Sequence, residues 1–178
     1  MNQVRRYFHN IKYKLWLVNQ KRKLRKLGIH YGKNLQLYNV NFDQIAGNLI
    51  TIGDNCILTN CSILAHDDSP RMYFSYRRLG EVKIGNNCFI GLGAVILPGV
   101  TIEDNVIIGS GSIVTHDIPS NTVVAGNPAK VIMSTEDYIY KIKAELHSMP
   151  IVTSIKRPSS SKTHKRFYSR AKYVGEKC

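Results

Sequence analysis

Long apolar runs are missing from this chain of 178 residues, and acids are scarce relative to bases. No stretch approaches the roughly 18 consecutive apolar residues that a membrane-crossing helix requires, so no transmembrane segment is expected. Near the basic N-terminus the longest apolar stretch is LWLV, at 15–18. That is too short for the core of a secretory signal, which predicts a cytoplasmic protein. The four cysteines, Cys56, Cys61, Cys88 and Cys178, form neither a CxxC pair nor a zinc-finger spacing. They are expected to be reduced, with Cys56 and Cys88 serving as small buried hydrophobes. The length suits one domain with a sizeable core rather than two.

Acids number 12 against 25 Lys and Arg, for a net charge of +13. Residues 1–28 hold nine bases and no acid, and residues 155–178 hold eight bases and one acid. The middle of the chain keeps eight bases against eleven acids. The positive charge therefore belongs to the ends. A nucleic-acid-binding fold carries its basic stripe on the domain itself, so no nucleic-acid partner is expected.

A strict period organises the centre. Ile84, Ile90, Ile96, Ile102, Ile108 and Val114 follow one another at intervals of six. Two positions before each stands a small or β-branched residue: Val82, Cys88, Ala94, Val100, Val106 and Ser112. The same register reads earlier as Ile50/Ile52, Cys56/Leu58 and Ser62/Leu64. Residues two apart on a strand share a face, so each pair is expected to point inward. Corners such as Gly53-Asp54-Asn55, Gly85-Asn86-Asn87 and Gly109-Ser110-Gly111 tolerate positive φ and let the chain turn. The fold class that follows is an all-β solenoid of triangular coils, which bury their inward faces only by stacking. Helical spacing near 3.6 is absent from this region.

One interruption stands out. From Leu64 to Ile84 the chain covers 20 residues where the period wants six, so a loop over about 66–80, HDDSPRMYFSYRRLG, is expected to leave the coil. Long loops on rigid scaffolds are favoured places for function. His66 opens it, with Asp67 and Asp68 beside it, either to orient the ring or to solvate a corner. Arg71, Tyr73, Tyr76, Arg77 and Arg78 are candidates to recognise an acceptor.

The ends read differently. Residues 1–28 are expected to form a basic amphipathic helix, with Val4, Tyr7, Phe8, Ile11, Leu15 and Val18 on one side and Gly28 as its stop. Such a helix either caps the first coil or meets an anionic membrane surface. The solenoid spans 29–133, and 134–178 holds a helix over 135–148 followed by a Ser-rich basic tail.

The motifs ITIGDNCIL (50–58), ILAHDD (63–68) and VKIGNNCFIGLGAVILPGVTIEDNVIIGSGSIVTHDIPSNTVVAGNPAKVI (82–132) resemble the hexapeptide-repeat acyltransferases. The resemblance is to the galactoside, maltose and xenobiotic O-acetyltransferase branch, and it covers about half the chain. It implies a left-handed parallel β-helix, acetyl-CoA as co-substrate, no metal, and a homotrimer with sites shared between subunits. It maps the catalytic base onto His66 and CoA-binding positions onto Leu92, Ser110, Thr115, His116 and Lys130. Leu92 stands where relatives often have Ser, His116 where Lys is frequent, and Phe89 where Trp is common. The N-terminal helix lacks the acceptor-binding segment of the galactoside and maltose enzymes.

The expected activity is acetyl transfer from acetyl-CoA to a hydroxyl of a sugar or glycan, such as a capsule, lipopolysaccharide or glycolipid precursor, at the inner membrane surface. Acetylation of an antibiotic, serine or an amino sugar is the alternative within the family. A non-catalytic scaffold at a membrane surface is the alternative outside it. A zinc hydratase on the same helix needs three converging histidines, and the repeat stretch over 50–132 offers His66 and His116 alone.

Overall fold

The structure, a computed structural model, describes residues 18–148. The chain winds in coils of three short strands. The first coil holds β1 (His30–Tyr31), β2 (Gln36–Tyr38) and β3 (Asn41–Phe42); the second holds β4 (Ile50–Ile52), β5 (Ile57–Thr59) and β6 (Ser62–Ile63). A hairpin of β7 (His66–Asp67) and β8 (Arg78–Leu79) follows. The third coil holds β9 (Val82–Ile84), β10 (Phe89–Ile90) and β11 (Val95–Ile96); the fourth holds β12 (Thr101–Ile102), β13 (Ile107–Ile108) and β14 (Ile113–Val114). β15 (Thr122–Ala125) and β16 (Lys130–Ser134) close the solenoid.

Like strands stack on like. The first face is β1-β4-β9-β12, the second is β2-β5-β10-β13-β15-β16, and the third is β3-β6-β11-β14. Every pairing within the coils is parallel, and β16 alone runs antiparallel to its neighbour β15 on these faces. Inward residues form one continuous core in which Ile50, Leu58, Ile63, Val82, Ile90, Ile96, Ile108 and Val114 are fully buried. Each coil alone would leave these side chains wet, so stacking supplies the apolar burial that holds the prism together.

The register departs from expectation in one strand. Ser62 and Leu64 are half-buried, and Cys61, Ile63 and Ala65 take the inward positions. Leu58 lies beside Ile90 and Ile63 beside Ile96, so the second coil crosses this corner in five residues where the third uses six. Asn60 at φ 40° makes the short corner alone, whereas the longer one is Gly91-Leu92-Gly93 with Gly93 at φ 72°. The first coil takes the same short step, from Leu37 to Phe42 past Asn39 at φ 55°. A slip of one residue exchanges the two sides of a strand. It puts Cys61 into the core, where burial pushes its thiol up to about 12, and turns Leu64 outward.

The corner between the first and second faces repeats closely. Asn34, Asn55, Asn87, Asn105 and Asn121 all have φ between 54° and 61°. Each of the first four donates from its side-chain amide to the next, at 2.9, 3.2, 3.1 and 3.0 Å in turn. Asparagine tolerates the left-handed region and satisfies itself along the stack.

Helix α1, described over 18–26, ends in a Schellman turn: Ile29 N–H donates to Leu24 O and Gly28 N–H to Arg25 O, with Gly28 at φ 73°. Leu24 is buried in the same core as Ile29 and Leu37, so α1 covers the first coil. Lys21, Arg22, Lys23, Arg25 and Lys26 stay exposed. Among the described residues, 136–148 form a second unit. In it, helix α2 (Thr135–Ser148) carries Glu136 and Asp137 in its first turn, where they complement the helix dipole. The expected apolar side through Val4–Leu15 and the basic tail lie outside the described residues.

Candidate active site

The corner between the third and first faces differs in every coil. In the first coil it turns on Asp43, whose side chain is fully buried. One carboxylate oxygen accepts the N–H groups of Ile45 and Ala46 at 2.8 and 2.9 Å. The other accepts the N–H groups of Ala65 and His66 at 2.8 and 2.9 Å, from the coil above. The same oxygen lies 2.5 Å from Nδ1 of His66. Burial pushes the Asp43 carboxyl upward, but the hydrogen bonds from Ala46, Ile45, Ala65 and His66 outweigh it and hold the group well below the ordinary carboxylate range.

An ionised carboxylate at that distance requires a proton on Nδ1, which leaves the lone pair of a neutral imidazole on Nε2. The ring is buried on its Asp43 side yet 21% exposed overall, so a ligand can reach it. A cavity of about 520 Å³ opens there, lined by Leu64, His66, Asp67, Asp68, Arg78, Leu97, Pro98 and Thr115. Its apolar walls come from the outward turn of Leu64 and from the third coil. An imidazole in this setting is equipped to take a proton from a hydroxyl brought against Nε2.

The expectation that Asp67 or Asp68 orients the ring is corrected: Asp43 performs that task. Asp68 is occupied by Arg77, which grips it through Nε and through Nη2 at 3.1 Å, and by Arg71 at 3.5 Å. The Asp67 carboxylate accepts the N–H of Ser69 at 2.8 Å. β7 and β8 pair antiparallel, His66 opposite Leu79 and Asp67 opposite Arg78, and Gly80 N–H closes onto Ala65 O at 3.0 Å. Between these strands Met72, Tyr73, Phe74 and Tyr76 are exposed by 64–80%.

The pattern described as Bacterial transferase hexapeptide (six repeats) matches residues 81–116. Galactoside O-acetyltransferase of Escherichia coli (strain K12) is 43% identical over 114 residues, covering 61% of this chain and 55% of that one. Protein CapG of Staphylococcus aureus is 39% identical over 127 residues, covering 67% of this chain and 74% of that one. The chain belongs to the hexapeptide-repeat acyltransferase family. A solved galactoside acetyltransferase in complex with coenzyme A superposes with a TM-score of 0.55 at 38% identity, covering 64% of this chain and 58% of that one. The parallel faces together with this likeness identify the solenoid as a left-handed β-helix. The chain spans about 55% of the length of the galactoside relative.

Within this hexapeptide-repeat fold, the residues expected at a CoA site fall on two edges of the prism. Thr115 lines the His66 cavity, and its hydroxyl lies 2.7 Å from Nδ1 of His116. Leu92 and Ser110 occupy the corner between the second and third faces, stacked so that Gly111 N–H donates to Leu92 O at 2.8 Å. Lys130 begins β16 opposite Ala125, next to that same corner. Leu92, Ser110 and Lys130 do not line the His66 cavity. Tyr73 and Tyr76 project from the hairpin, and Arg71 and Arg77 are tied to Asp68.

Asp43 is the residue that reading the sequence missed. Its signal was the register: once Phe42 is set beside Ile63, Asp43 falls beside Leu64 at the corner, where its carboxylate reaches the N–H groups of Ala65 and His66. The inward assignment of Ser62 and Leu64 hid that alignment.

Proposed function

We propose that the protein transfers an acetyl group from acetyl-CoA to a hydroxyl of a sugar or glycan, with His66 as general base and Asp43 as the residue that positions it. The observation that carries this reading is the buried Asp43 carboxylate 2.5 Å from Nδ1 of His66, which leaves Nε2 facing an accessible cavity. A hydroxyl is a poor nucleophile until its proton is withdrawn. As Nε2 takes that proton, the oxygen attacks the thioester carbonyl, and a backbone N–H stabilises the oxyanion. Collapse of the tetrahedral adduct expels the CoA thiolate, and the imidazolium returns the proton to it. No protein nucleophile is needed, which accords with the burial of Cys56, Cys61 and Cys88.

The relatives support the reaction class: a galactoside O-acetyltransferase at 43% identity and a galactoside acetyltransferase holding coenzyme A. A homotrimer would set the edge bearing Leu92, Ser110 and Lys130 against a neighbour's His66 edge and so assemble the donor site. The outward column Ile57, Phe89 and Ile107 on the second face supplies apolar surface for such packing. The exposed bases of α1 suit an anionic membrane surface, where lipid-linked precursors of capsule, lipopolysaccharide or glycolipid would be met. Among the described residues no helix is long and apolar enough to cross a membrane.

The test is release of free thiol from acetyl-CoA against a panel of sugars, comparing the natural chain with His66→Ala. Full turnover by His66→Ala on a genuine acceptor would sink the mechanism. Absence of thiol release with every sugar, combined with no binding of CoA, would favour a scaffold.

A further inference from the structure

We infer that the acceptor carries an oxyanion, a carboxylate or a phosphate, and that Arg78 reads it; this rests on the acetyl-transfer reading given above. The hairpin at the cavity mouth holds three guanidinium groups, of Arg71, Arg77 and Arg78, against two carboxylates, of Asp67 and Asp68. Asp68 takes two of the three, Arg77 through two nitrogens and Arg71 through one. Asp67 spends a carboxylate oxygen on the N–H of Ser69. Among the described residues the guanidinium of Arg78 has no hydrogen-bond or ion-pair partner, although its charge is felt at Asp67. Its neighbour Arg77 is anchored, and Arg78 is left with its full set of donors.

Position gives this spare cation a role. Arg78 lines the same cavity as His66, and its backbone is held in β8 directly opposite Asp67, the residue after His66. A guanidinium presents a planar fork of N–H donors that fits a carboxylate or phosphate better than it fits a neutral hydroxyl. The phosphates of the donor are not its target. The reacting thioester must sit at His66, and the whole pantetheine arm separates that thioester from the nucleotide phosphates. An anion reaching Arg78 while a hydroxyl reaches Nε2 therefore belongs to the acceptor. The apolar wall of Leu64, Leu97 and Pro98 leaves the rest of the cavity suited to the body of a sugar ring.

Two matched pairs of probes test this on the full chain: galactose with galacturonate, and glucose with glucose 6-phosphate. Titration calorimetry gives binding, and thiol release from acetyl-CoA gives kcat/KM. At least one charged member should bind and react roughly tenfold better than its neutral partner, the effect of a single charge-assisted contact. Arg78→Gln should abolish that preference, Arg78→Lys should keep part of it, and rising salt should erode it. Preference for the uronate alone or for the phosphate alone tells which oxyanion is read. Equal binding of charged and neutral partners by the natural chain overturns the inference, as does a preference that survives Arg78→Gln. If charged sugars bind through Arg78 but no thiol is released, the acetyl-transfer reading fails and the anion site stands. If neutral sugars are acetylated without any charge preference, the converse holds.

Discussion

Two corners of the same prism could hardly be built on more different terms. Between the first and second faces the chain places asparagine in coil after coil at nearly one value of φ, each amide bonded to the next. Between the third and first faces no two coils agree: Asp43 makes a buried turn, His66 opens a hairpin, Leu97-Pro98 makes a tight corner, and Thr115-His116 an exposed one. The repeating corner bonds each amide to the next from coil to coil. The irregular corner gathers groups that no repeat would supply, including a buried carboxylate and a reachable imidazole. In a solenoid, where each coil only has to match its neighbours, periodicity provides stability and its local failure provides chemistry.

Changes at the irregular corner should therefore alter activity far more than stability, and changes at the ladder should do the reverse. The largest effect is expected from His66→Ala, which should cut kcat/KM by roughly 100- to 10,000-fold in the thiol-release assay. Its melting temperature should fall by only a few degrees, because the Asp43 carboxylate loses the ring donor but keeps its four backbone N–H donors. Asp43→Asn joins the two behaviours. However the amide is turned, its NH2 group faces two backbone N–H donors, so about 2–3 kcal/mol of stability is lost in urea unfolding. When that NH2 group faces Nδ1, it draws the ring proton onto Nε2 and removes the base, for a loss in kcat of roughly 100-fold or more. A stable, fully active Asp43→Asn protein would break the comparison.

Acid sharpens the same contrast. The Asp43 carboxyl is held below its unfolded value, so the unfolded chain binds the proton more readily. The stability this group contributes is complete above the ordinary carboxylate range of about pH 4 and is lost as pH falls through and below it. Urea midpoints taken from pH 6 downward should fall in the natural chain, and less steeply in Asp43→Asn. At the ladder, Asn87→Ala loses two amide contacts and leaves a β-carbon in the left-handed region, at a cost of about 1–2 kcal/mol. Asn87→Gly should recover the backbone share. Both should retain kcat/KM within about twofold, and a large loss of activity in either would erase the distinction between the corners.

How much of this was legible beforehand varied with distance along the chain. The inward pairs from Val82 to Val114 could be read directly, because each obeys a local spacing that any single coil reveals. The helix expected over 135–148 coincides with α2. Cys61 and Ile63 were misread because a five-residue corner is invisible until the neighbouring coil shows where the strand must lie. His66 was marked by the break it begins, whereas Asp43 was marked by nothing nearby.

The sequence by itself determined a stacked solenoid, the excursion that starts at a histidine, and the division between a mildly acidic centre and basic ends. All of these follow from spacing and composition. Only the tertiary structure decided which carboxylate holds that histidine, which arginine is left unpaired beside it, and on which edge each candidate donor-site residue stands. Those facts depend on register between coils, where residues 23 apart in sequence meet at hydrogen-bonding distance. A one-residue change in a single corner is enough to reassign them.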